Sequence, residues 1–297
     1  MQRAQMMGKH PIRAIQDVVV NGPDRWQLPA PKRDQHKYSR GAVAVFSGGL
    51  TSSGAGRLSA MAAARIGAGA VTVLSPAEAL VANASHLTSI MLACVDTVAE
   101  MRALFGHRQP NSVVIGPGYG LDRSLNQMVI SLFETLPSAT LVLDADALSA
   151  FRDDPSELFS AITRAEAKVV LTPHEGEFAR LFPDLAANGS LSKVQKAVAA
   201  ARRSGSAIVY KGPDTIIAAP DGRVVTNTNG TPHLATAGSG DVLAGLVAGL
   251  AAQGMEQFDA ACAGVWLHAE AASRFGPGLI AEDLPGLLPP LLRELLA

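Results

Sequence analysis

The most informative stretch of the sequence is Ala237–Gly245, which reads AGSGDVLAG and continues directly into an apolar segment. A glycine-rich turn that feeds a helix start leaves backbone N–H groups unpaired, and with the helix dipole these groups favour an anion such as phosphate. Asp241 stands where the helix is expected to begin, and it is a candidate general base if it faces the same site. The alternative is a plain turn followed by an ordinary helix-start carboxylate.

The residues downstream of Asp241 support a helix, because apolar side chains recur there with helical spacing. These residues are Val242, Leu243, Leu246, Val247 and Leu250. Upstream, strand-like runs alternate with helical stretches from about residue 42. The predicted strands are Ala42–Phe46, Ala70–Leu74, Ser112–Ile115, Thr140–Leu143, Val169–Leu171 and Ala207–Tyr210. The predicted helices are Gly54–Ile66, Leu121–Leu136, Pro155–Arg164, Glu175–Leu181, Ser192–Arg203, Asp241–Gln253 and Gln257–Phe275.

Continuous runs of Val, Ile and Leu separated by helices indicate a parallel sheet that is covered on both faces. We therefore predict an α/β fold, a three-layer αβα sandwich with a mainly parallel central sheet. Thr215–Ala218 and Arg223–Asn227 flank a Pro-Asp-Gly turn, which predicts a hairpin near the sheet edge. Without an internal repeat or linker, residues 36–297 are interpreted as a single domain and residues 1–35 as an N-terminal extension.

Composition narrows the class of protein. The chain has 297 residues and a formal net charge of -1, so charge alone gives no reason to expect nucleic acid or anionic lipid as a partner. The longest apolar run, Val242–Ala252, is too short to span a bilayer. Cys94 and Cys262 are far apart in the sequence, so we expect no disulfide framework and a cytoplasmic location.

Polar and glycine-rich segments follow several predicted strands, at the edge where ligands bind in open α/β sheets. These segments are Ser47–Gly49, Gly116–Gly120, Asp144–Asp146, Thr172–Glu175 and Lys211–Pro213. Gly49–Gly56 superficially resembles a P-loop, but Arg57 follows its last glycine and no Lys-Ser/Thr pair is present. Gly116–Gly120 lacks the spacing of a dinucleotide fingerprint, so any nicotinamide bound here would be a substrate.

Each candidate side chain at this edge has an ordinary structural alternative. His174 is either a ligand contact or a structural hydrogen-bonding residue. Lys211 either reaches a nucleotide phosphate or is solvated. Asp144 and Asp146 either hold Mg²⁺ through water or cap the following helix, and capping is the simpler interpretation. The sequence has no HExxH spacing, and we expect no protein-held transition-metal site.

In this order, the segments closely resemble the NAD(P)H-hydrate dehydratase family, which has the ribokinase-like fold. The similarity begins at His36–Gly41 (HKYSRG) and continues to the C-terminal helices. Small-alcohol kinases with the same fold share the Gly-Ser-Gly-Asp turn. The segment Thr172–Phe178 (TPHEGEF), together with Gly116–Gly118, is similar to the dehydratase branch.

The resemblance implies roles for individual residues. Ala55, Gly118 and His174 would contact the hydrated nicotinamide nucleotide, and Asp241 would lie against its reacting hydroxyl. Five consecutive residues and one glycine would contact ADP or AMP: Lys211, Gly212, Pro213, Asp214, Thr215 and Gly240. The family's reaction phosphorylates the hydrate hydroxyl from ADP and then eliminates phosphate, which returns NAD(P)H and leaves AMP. Mg²⁺ would arrive with the nucleotide, and ADP would be a co-substrate.

Further implications of the resemblance are a homotetramer, both NADHX and NADPHX as substrates, ADP rather than ATP as phosphoryl donor, and a separate epimerase that supplies the S epimer. Two other functions compete with this one. A kinase of the hydroxymethylpyrimidine or hydroxyethylthiazole type would stop at a stable phosphorylated alcohol. A regulatory protein without catalysis would bind nucleotide and lose nothing on Asp241→Asn.

Overall fold

The computed structural model describes residues 19–165 and 168–297. Within these residues the strands form one sheet of ten, in the order β1-β10-β9-β8-β7-β6-β5-β2-β3-β4. Their bounds are β1 Val19–Val20, β2 Ala42–Phe46, β3 Ala70–Ser75, β4 Met91–Cys94, β5 Ser112–Ile115, β6 Thr140–Leu143, β7 Lys168–Leu171, β8 Ala207–Tyr210, β9 Thr215–Ala218 and β10 Val224–Asn227. Neighbours from β4 to β8 are parallel, whereas β9 is antiparallel to both β8 and β10. The predicted parallel sheet and its hairpin are confirmed.

Helices cover both faces of this sheet. Their bounds are α1 Ser53–Arg65, α2 Leu80–Ala84, α3 Val98–His107, α4 Arg123–Thr135, α5 Asp146–Ser149, α6 Pro155–Ala165, α7 Glu175–Leu181, α8 Pro183–Ala187, α9 Lys193–Ser204, α10 Ser239–Ala252, α11 Gln257–Phe275 and α12 Leu284–Leu295. Alternate residues of the strands enter two separate cores, because successive side chains of a strand point to opposite faces. Val43 and Val45 pack in the core with α1, α10 and α11, whereas Ala44 and Phe46 pack in the core with α4, α6 and α9. The three-layer prediction is confirmed.

Several boundaries differ from the sequence prediction. The helix predicted to begin near Asp241 begins at Ser239, with Gly238 in a left-handed conformation (φ 86°) as its N-cap, and Asp241 lies in its first turn. Strands β1 and β4 and helices α2, α3, α5, α8 and α12 were not among the predicted elements. None of the described helices is both long enough and apolar enough to cross a membrane.

Part of the predicted N-terminal extension packs with the domain. β1 pairs in parallel with the hairpin strand β10, and Trp26 and Leu28 are buried in the core on the α11 side. Asn21 donates to Asn227 Oδ1 (2.9 Å) and to the carbonyl of Cys262 (2.8 Å). Residues 1–18 lie outside the described residues, and the division of the chain at residue 36 stays a prediction.

Helices α1 and α10 pack closely together in the core, and their contact depends on glycines. A Cβ on Gly245 would lie 2.1 Å from the carbonyl oxygen of Ser59, and one on Gly249 would lie 2.9 Å from that of Ala63. Residues advance together along both helices, so α1 and α10 run side by side in the same direction. Their N-termini, and the positive ends of both helix dipoles, therefore lie at the same end of the sheet.

Candidate active site

A buried ion pair forms at the carboxyl ends of β6 and β8. Lys211 Nζ lies 2.8 Å from Asp144 Oδ1, and Thr172 Oγ1 donates to the same carboxylate oxygen (2.7 Å). Asp144 is fully buried and Lys211 is largely buried. Burial alone would lower the pKa of Lys211, but the carboxylates of Asp144 and Glu177 raise it above its ordinary value. Lys211 is therefore a cation held in place, and the interpretation of it as a solvated lysine is wrong.

The backbone between Asp144 and Asp146 adopts an unusual conformation. Ala145 has φ 49° and ψ −114°, and among the described residues it is the one non-glycine residue with positive φ. Such backbone strain in a non-glycine residue concentrates at functional sites. Asp146 Oδ2 accepts a hydrogen bond from the amide of Gly120 (2.9 Å). The prediction that these aspartates cap the next helix is wrong, because Ala145 is the N-cap of α5 and both carboxylates have other partners.

His174 caps helix α7 with its imidazole. Its Nδ1 accepts hydrogen bonds from the amides of Gly176 (3.0 Å) and Glu177 (3.4 Å), while Glu177 Oε2 accepts from the amide of His174 (2.8 Å). Because Nδ1 is an acceptor, the neutral ring carries its proton on Nε2, which lies 3.2 Å from Glu177 Oε1. Burial, together with the positive charges of Lys211 and Arg180, lowers the pKa of His174. His174 is a neutral hydrogen-bonding residue whose ring remains half-exposed at the site.

Two carboxyl groups beside Lys211 have strongly raised pKa values. Burial and the negative charge of Asp144 raise the pKa of Asp241 to about 7, against the opposing effect of Lys211. Burial also raises the pKa of Glu177 to about 7, and Lys211 Nζ lies 4.0 Å from its Oε2. A carboxyl group with a pKa near neutrality is suited to general acid–base chemistry. Glycine at position 240 leaves room here, since a Cβ would lie 3.4 Å from Lys211 Nζ.

A cavity of about 540 Å³ opens between Lys211 and the start of α10. Among the predicted site residues, its walls include His174, Lys211, Gly212, Pro213, Thr215 and Gly240. The other walls are apolar or weakly polar and come mainly from residues 227–239 and from α11. Lys211 and the N-terminus of α10 make one end of the cavity suitable for phosphate. Leu234, Leu243 and Val265 make other parts of it suitable for an apolar ring.

The remaining predicted residues, Ala55, Gly118, Asp214 and Asp241, do not line this cavity, although Asp241 directly follows Gly240, which does. Ala55 lies opposite Gly118, where a Cβ on the glycine would lie 3.2 Å from that of Ala55, and Ser52 Oγ donates to the carbonyl of Gly118 (2.6 Å). The loop Gly116–Gly120 also packs against residues 144–147. The carbonyl of Asp214 accepts a hydrogen bond from Lys193 (2.7 Å).

Three residues of the site were not predicted. Glu177 is the carboxylate of a capping box, and the spacing His174-x-x-Glu177 was a usable signal. His268 is buried in the cavity wall, 3.4 Å from Ser239 Oγ, and burial lowers its pKa to about 4. A single imidazole within the apolar sequence of α11 was the signal for it. Lys193 precedes the site in sequence and shows no local motif.

The sequence comparisons identify the family. The family model described as NAD(P)H-hydrate dehydratase matches residues 43–290. This chain belongs to the NAD(P)H-hydrate dehydratase family. It is 35% identical over 274 residues to the ADP-dependent (S)-NAD(P)H-hydrate dehydratase of Neisseria meningitidis, covering 90% of this chain and 88% of the relative. With the enzyme of the same description from Xanthomonas campestris it shares 34% identity, covering 90% of this chain and 93% of that relative.

Longer relatives and solved structures extend the comparison. This chain is 36% identical to the bifunctional NAD(P)H-hydrate repair enzyme of Moorella thermoacetica, and it covers only 53% of that relative's length. An ADP/ATP-dependent NAD(P)H-hydrate dehydratase from Bacillus subtilis, co-crystallized with ATP/Mg²⁺, superimposes with a TM-score of 0.81 at 24% identity, covering 94% of this chain and 99% of that one. A ribokinase-like superfamily protein from Enterococcus faecalis gives 0.72 at 25% identity, covering 90% and 92%. The predicted family and the ribokinase-like fold are confirmed.

Proposed function

We propose that this chain catalyses the ADP-dependent dehydration of the S epimer of NAD(P)H hydrate, NADHX or NADPHX, to NAD(P)H, with release of AMP and phosphate. The observation that carries the proposal is the position of Asp241. It lies in the first turn of α10, with a pKa of about 7, beside the buried cation Lys211 and next to a cavity suited to a nucleotide. Membership of the dehydratase family supports the choice of substrate.

In the first step Asp241 removes the proton from the ring hydroxyl of the hydrate. The hydroxyl oxygen forms a bond to the β-phosphorus of ADP, and the bond between that phosphorus and the bridging oxygen breaks to leave AMP. Lys211 and the backbone amides at the start of α10 stabilise the negative charge of the phosphoryl group during transfer. Hydroxide leaves poorly from carbon, so this step converts it into a better leaving group.

In the second step the carbon–oxygen bond breaks and phosphate departs with the bonding electrons. The neighbouring ring carbon gives a proton to water, and the electrons of its C–H bond form the new double bond. Residues on the Ala55 side of the site have a positioning role. Ala55, Gly118 and His174 are proposed to hold the hydrate, with neutral His174 offering a hydrogen bond rather than a charge. The nucleotide is proposed to contact Lys211, Gly212, Pro213, Asp214, Thr215 and Gly240.

Mg²⁺ is proposed to bind with the nucleotide rather than as a resident ion. No group of three or more His, Cys, Asp or Glu side chains suited to a metal occurs in the described part of the chain. Asp144 offers its second carboxylate oxygen near Gly240, and Glu177 lies beside Lys211, so single oxygen ligands are present where phosphates are proposed to bind. When bound, Mg²⁺ would neutralise phosphate charge.

The proposal is tested by incubating purified hydrate with ADP and Mg²⁺ and following the recovery of dihydronicotinamide absorbance, with wild type beside Asp241→Asn. Recovery with AMP release, lost in the variant, is expected. A stable phosphorylated alcohol would instead identify a kinase, and nucleotide binding without turnover would identify a regulatory protein. Parallel assays with ATP, and with each hydrate alone, test the proposed preference for ADP and the use of both substrates.

Three further proposals follow from the family resemblance. The chain is proposed to assemble as a homotetramer, which light scattering of the purified protein measures. It is proposed to act in the cytoplasm, which fractionation tests. It is also proposed to depend on a separate epimerase, so that an R-epimer preparation would turn over only after that enzyme is added.

A further inference from the structure

Lys193 contacts the loop Lys211–Thr215, which is proposed to bind the nucleotide. Its ammonium donates to the carbonyl of Asp214 (2.7 Å) and to the carbonyl of Lys211 (3.2 Å). The same ammonium lies 4.7 Å from the ring centroid of Tyr210. Lys193 is the first residue of α9, and it is not among the residues that line the cavity.

The position of Lys193 is unfavourable for the helix that carries it. A cation at a helix N-terminus faces the positive end of the helix dipole. The ammonium is also partly buried, and this burial lowers the pKa of Lys193. Ser192 and Gln195 already form a complete capping box at this helix start, so the helix does not need the lysine side chain. What the position of Lys193 does provide is hydrogen bonding between its ammonium and the loop Lys211–Thr215.

Those contacts set the orientation of a peptide group. In a trans peptide unit the C=O and the N–H point in opposite directions. The carbonyl of Lys211 accepts a hydrogen bond from Lys193, so the amide of Gly212 points away from Lys193, and Gly212 itself lines the cavity. Within residues 19–165 and 168–297 the amide of Gly212 has no acceptor, which leaves it available to a ligand.

Gly212 is the residue that allows this arrangement. A Cβ at position 212 would lie 2.4 Å from Lys193 Nζ, and its next nearest neighbours would be 3.8 Å away. The side chain of any other residue would therefore displace the ammonium of Lys193, rather than fill the cavity. The glycine and the lysine form a matched pair across the loop.

We propose that Lys193 is a positioning residue for nucleotide binding: it holds the loop Lys211–Thr215 so that the Gly212 amide faces a phosphate of the bound nucleotide, and Gly212 makes room for it. This inference rests on the proposed function for the identity of the ligand. It assigns to Lys193 no contact with the nucleotide and no part in proton transfer.

The test is ADP affinity, measured by calorimetry without hydrate, together with steady-state kinetics. Lys193→Met is expected to weaken ADP binding roughly tenfold, because it removes two hydrogen bonds from a charged donor. The KM for ADP rises accordingly, while kcat at saturating ADP and the KM for hydrate stay within about twofold. Lys193→Arg, which keeps the charge and the donors, restores most of the affinity.

Lys196→Met is the matched control, because Lys196 lies on the same helix and donates to the carbonyl of Ala186 (2.9 Å), away from the cavity. Its ADP affinity is expected to equal that of wild type. Gly212→Ala is expected to weaken ADP binding, and to do so less in the Lys193→Met background, because the clash is then removed. Strictly additive effects would contradict the matched pair.

The inference and the proposed function fail differently. Unchanged ADP affinity in folded Lys193→Met, beside a wild type that turns over hydrate, would overturn the inference alone. A loss shared equally by Lys196→Met would also overturn it, since the effect would then be general to the helix. A wild-type protein that binds ADP but leaves hydrate unchanged would sink the proposed function alone. One that binds no ADP would overturn both.

Discussion

The hydroxyl of Ser59 in α1 donates a hydrogen bond of 2.7 Å to the backbone carbonyl of Asp241 in α10. This bond ties the first turn of α10, which carries the proposed base, to the neighbouring helix. Ser59 is fully buried, so its hydroxyl has no water to replace the carbonyl. The position of Asp241 therefore depends on a residue that touches neither proposed substrate.

Ser59→Ala is expected to lower the free energy of unfolding by about 1 kcal/mol, the usual net value of a hydrogen bond, and to lower kcat several-fold. Chemical denaturation and steady-state kinetics measure the two effects. Ser85→Ala is the control, because Ser85 Oγ donates to the carbonyl of Ala82 at an exposed helix end. Wild-type kcat in Ser59→Ala would mean that Asp241 is held adequately by its own helix.

The rate of the reaction is expected to rise with pH and to reach half its maximum near pH 7. The physical reason is that Asp241, whose pKa is about 7, must be ionised to accept a proton. Glu177 also titrates at about 7, so apparent values belong to the pair. Glu177→Gln separates the two, because the rising limb of kcat/KM should remain in that variant. Disappearance of the limb would assign it to Glu177 instead.

Asp241→Asn is expected to stabilise the fold at pH 8 more than at pH 5. The pKa of Asp241 is about 7 in the folded protein against an ordinary value of 3.8, so between these values the folded state binds more protons than the unfolded state. The stability that protonated Asp241 contributes is therefore present at low pH and is lost as the pH rises through 7. Asparagine does not titrate, so its variant avoids this loss.

Melting temperatures of wild type and Asp241→Asn at pH 5 and pH 8 provide the measurement. The difference between the two proteins should grow with pH. Asp221→Asn is a suitable control, because the pKa of Asp221 is lowered by the amide of Arg223 and the residue is exposed on the hairpin turn. An Asp241→Asn variant that is less stable than wild type at pH 8 would contradict the burial of a charged base.

Gly245→Ala is expected to destabilise the protein by about 1 to 3 kcal/mol, because the added Cβ would lie 2.1 Å from the backbone oxygen of Ser59 and a backbone atom cannot swing aside. Gly106→Ala, within α3, is the matched control. It meets nothing within 4 Å, and alanine there should stabilise by roughly 0.5 to 1 kcal/mol. Denaturant unfolding measures both, and equal stability in the two variants would refute the packing argument.

The sequence predicted the parts of the fold that depend on local pattern. The strands Ala42–Phe46 and Thr140–Leu143 are continuous buried runs, and both bounds are confirmed. Strand β4 was missed because Met91–Cys94 is half-exposed and contains no β-branched residue. Strand β1 is only two residues long, and its pairing with β10 depends on contacts distant in sequence.

The residues of the candidate site also divide into those that a local sequence pattern predicts and those that depend on contacts distant in sequence. Asp241 and His174 lie in short motifs that are typical of a helix start, so each residue could be recognised from its own motif. The pairing of Lys211 with Asp144 depends on the order of β6, β7 and β8 in the sheet, which no local pattern contains. Lys193 could not be predicted from the sequence, because its hydrogen bonds to the loop go to backbone carbonyls, which every sequence has.

The glycine contact between α1 and α10 limits how this molecule can move. Two helices whose backbones approach this closely at Gly245 and Gly249 cannot slide past each other without a steric clash, so Asp241 and the turn before α1 are expected to move together. Movement around the cavity is therefore expected in segments outside these two helices. Residues 228–238 line much of the cavity and contain one short 3₁₀ turn, at Pro232–Leu234. The packed helices α1 and α10 are expected to stay fixed relative to each other, whereas residues 228–238 are expected to be the part of the site that moves.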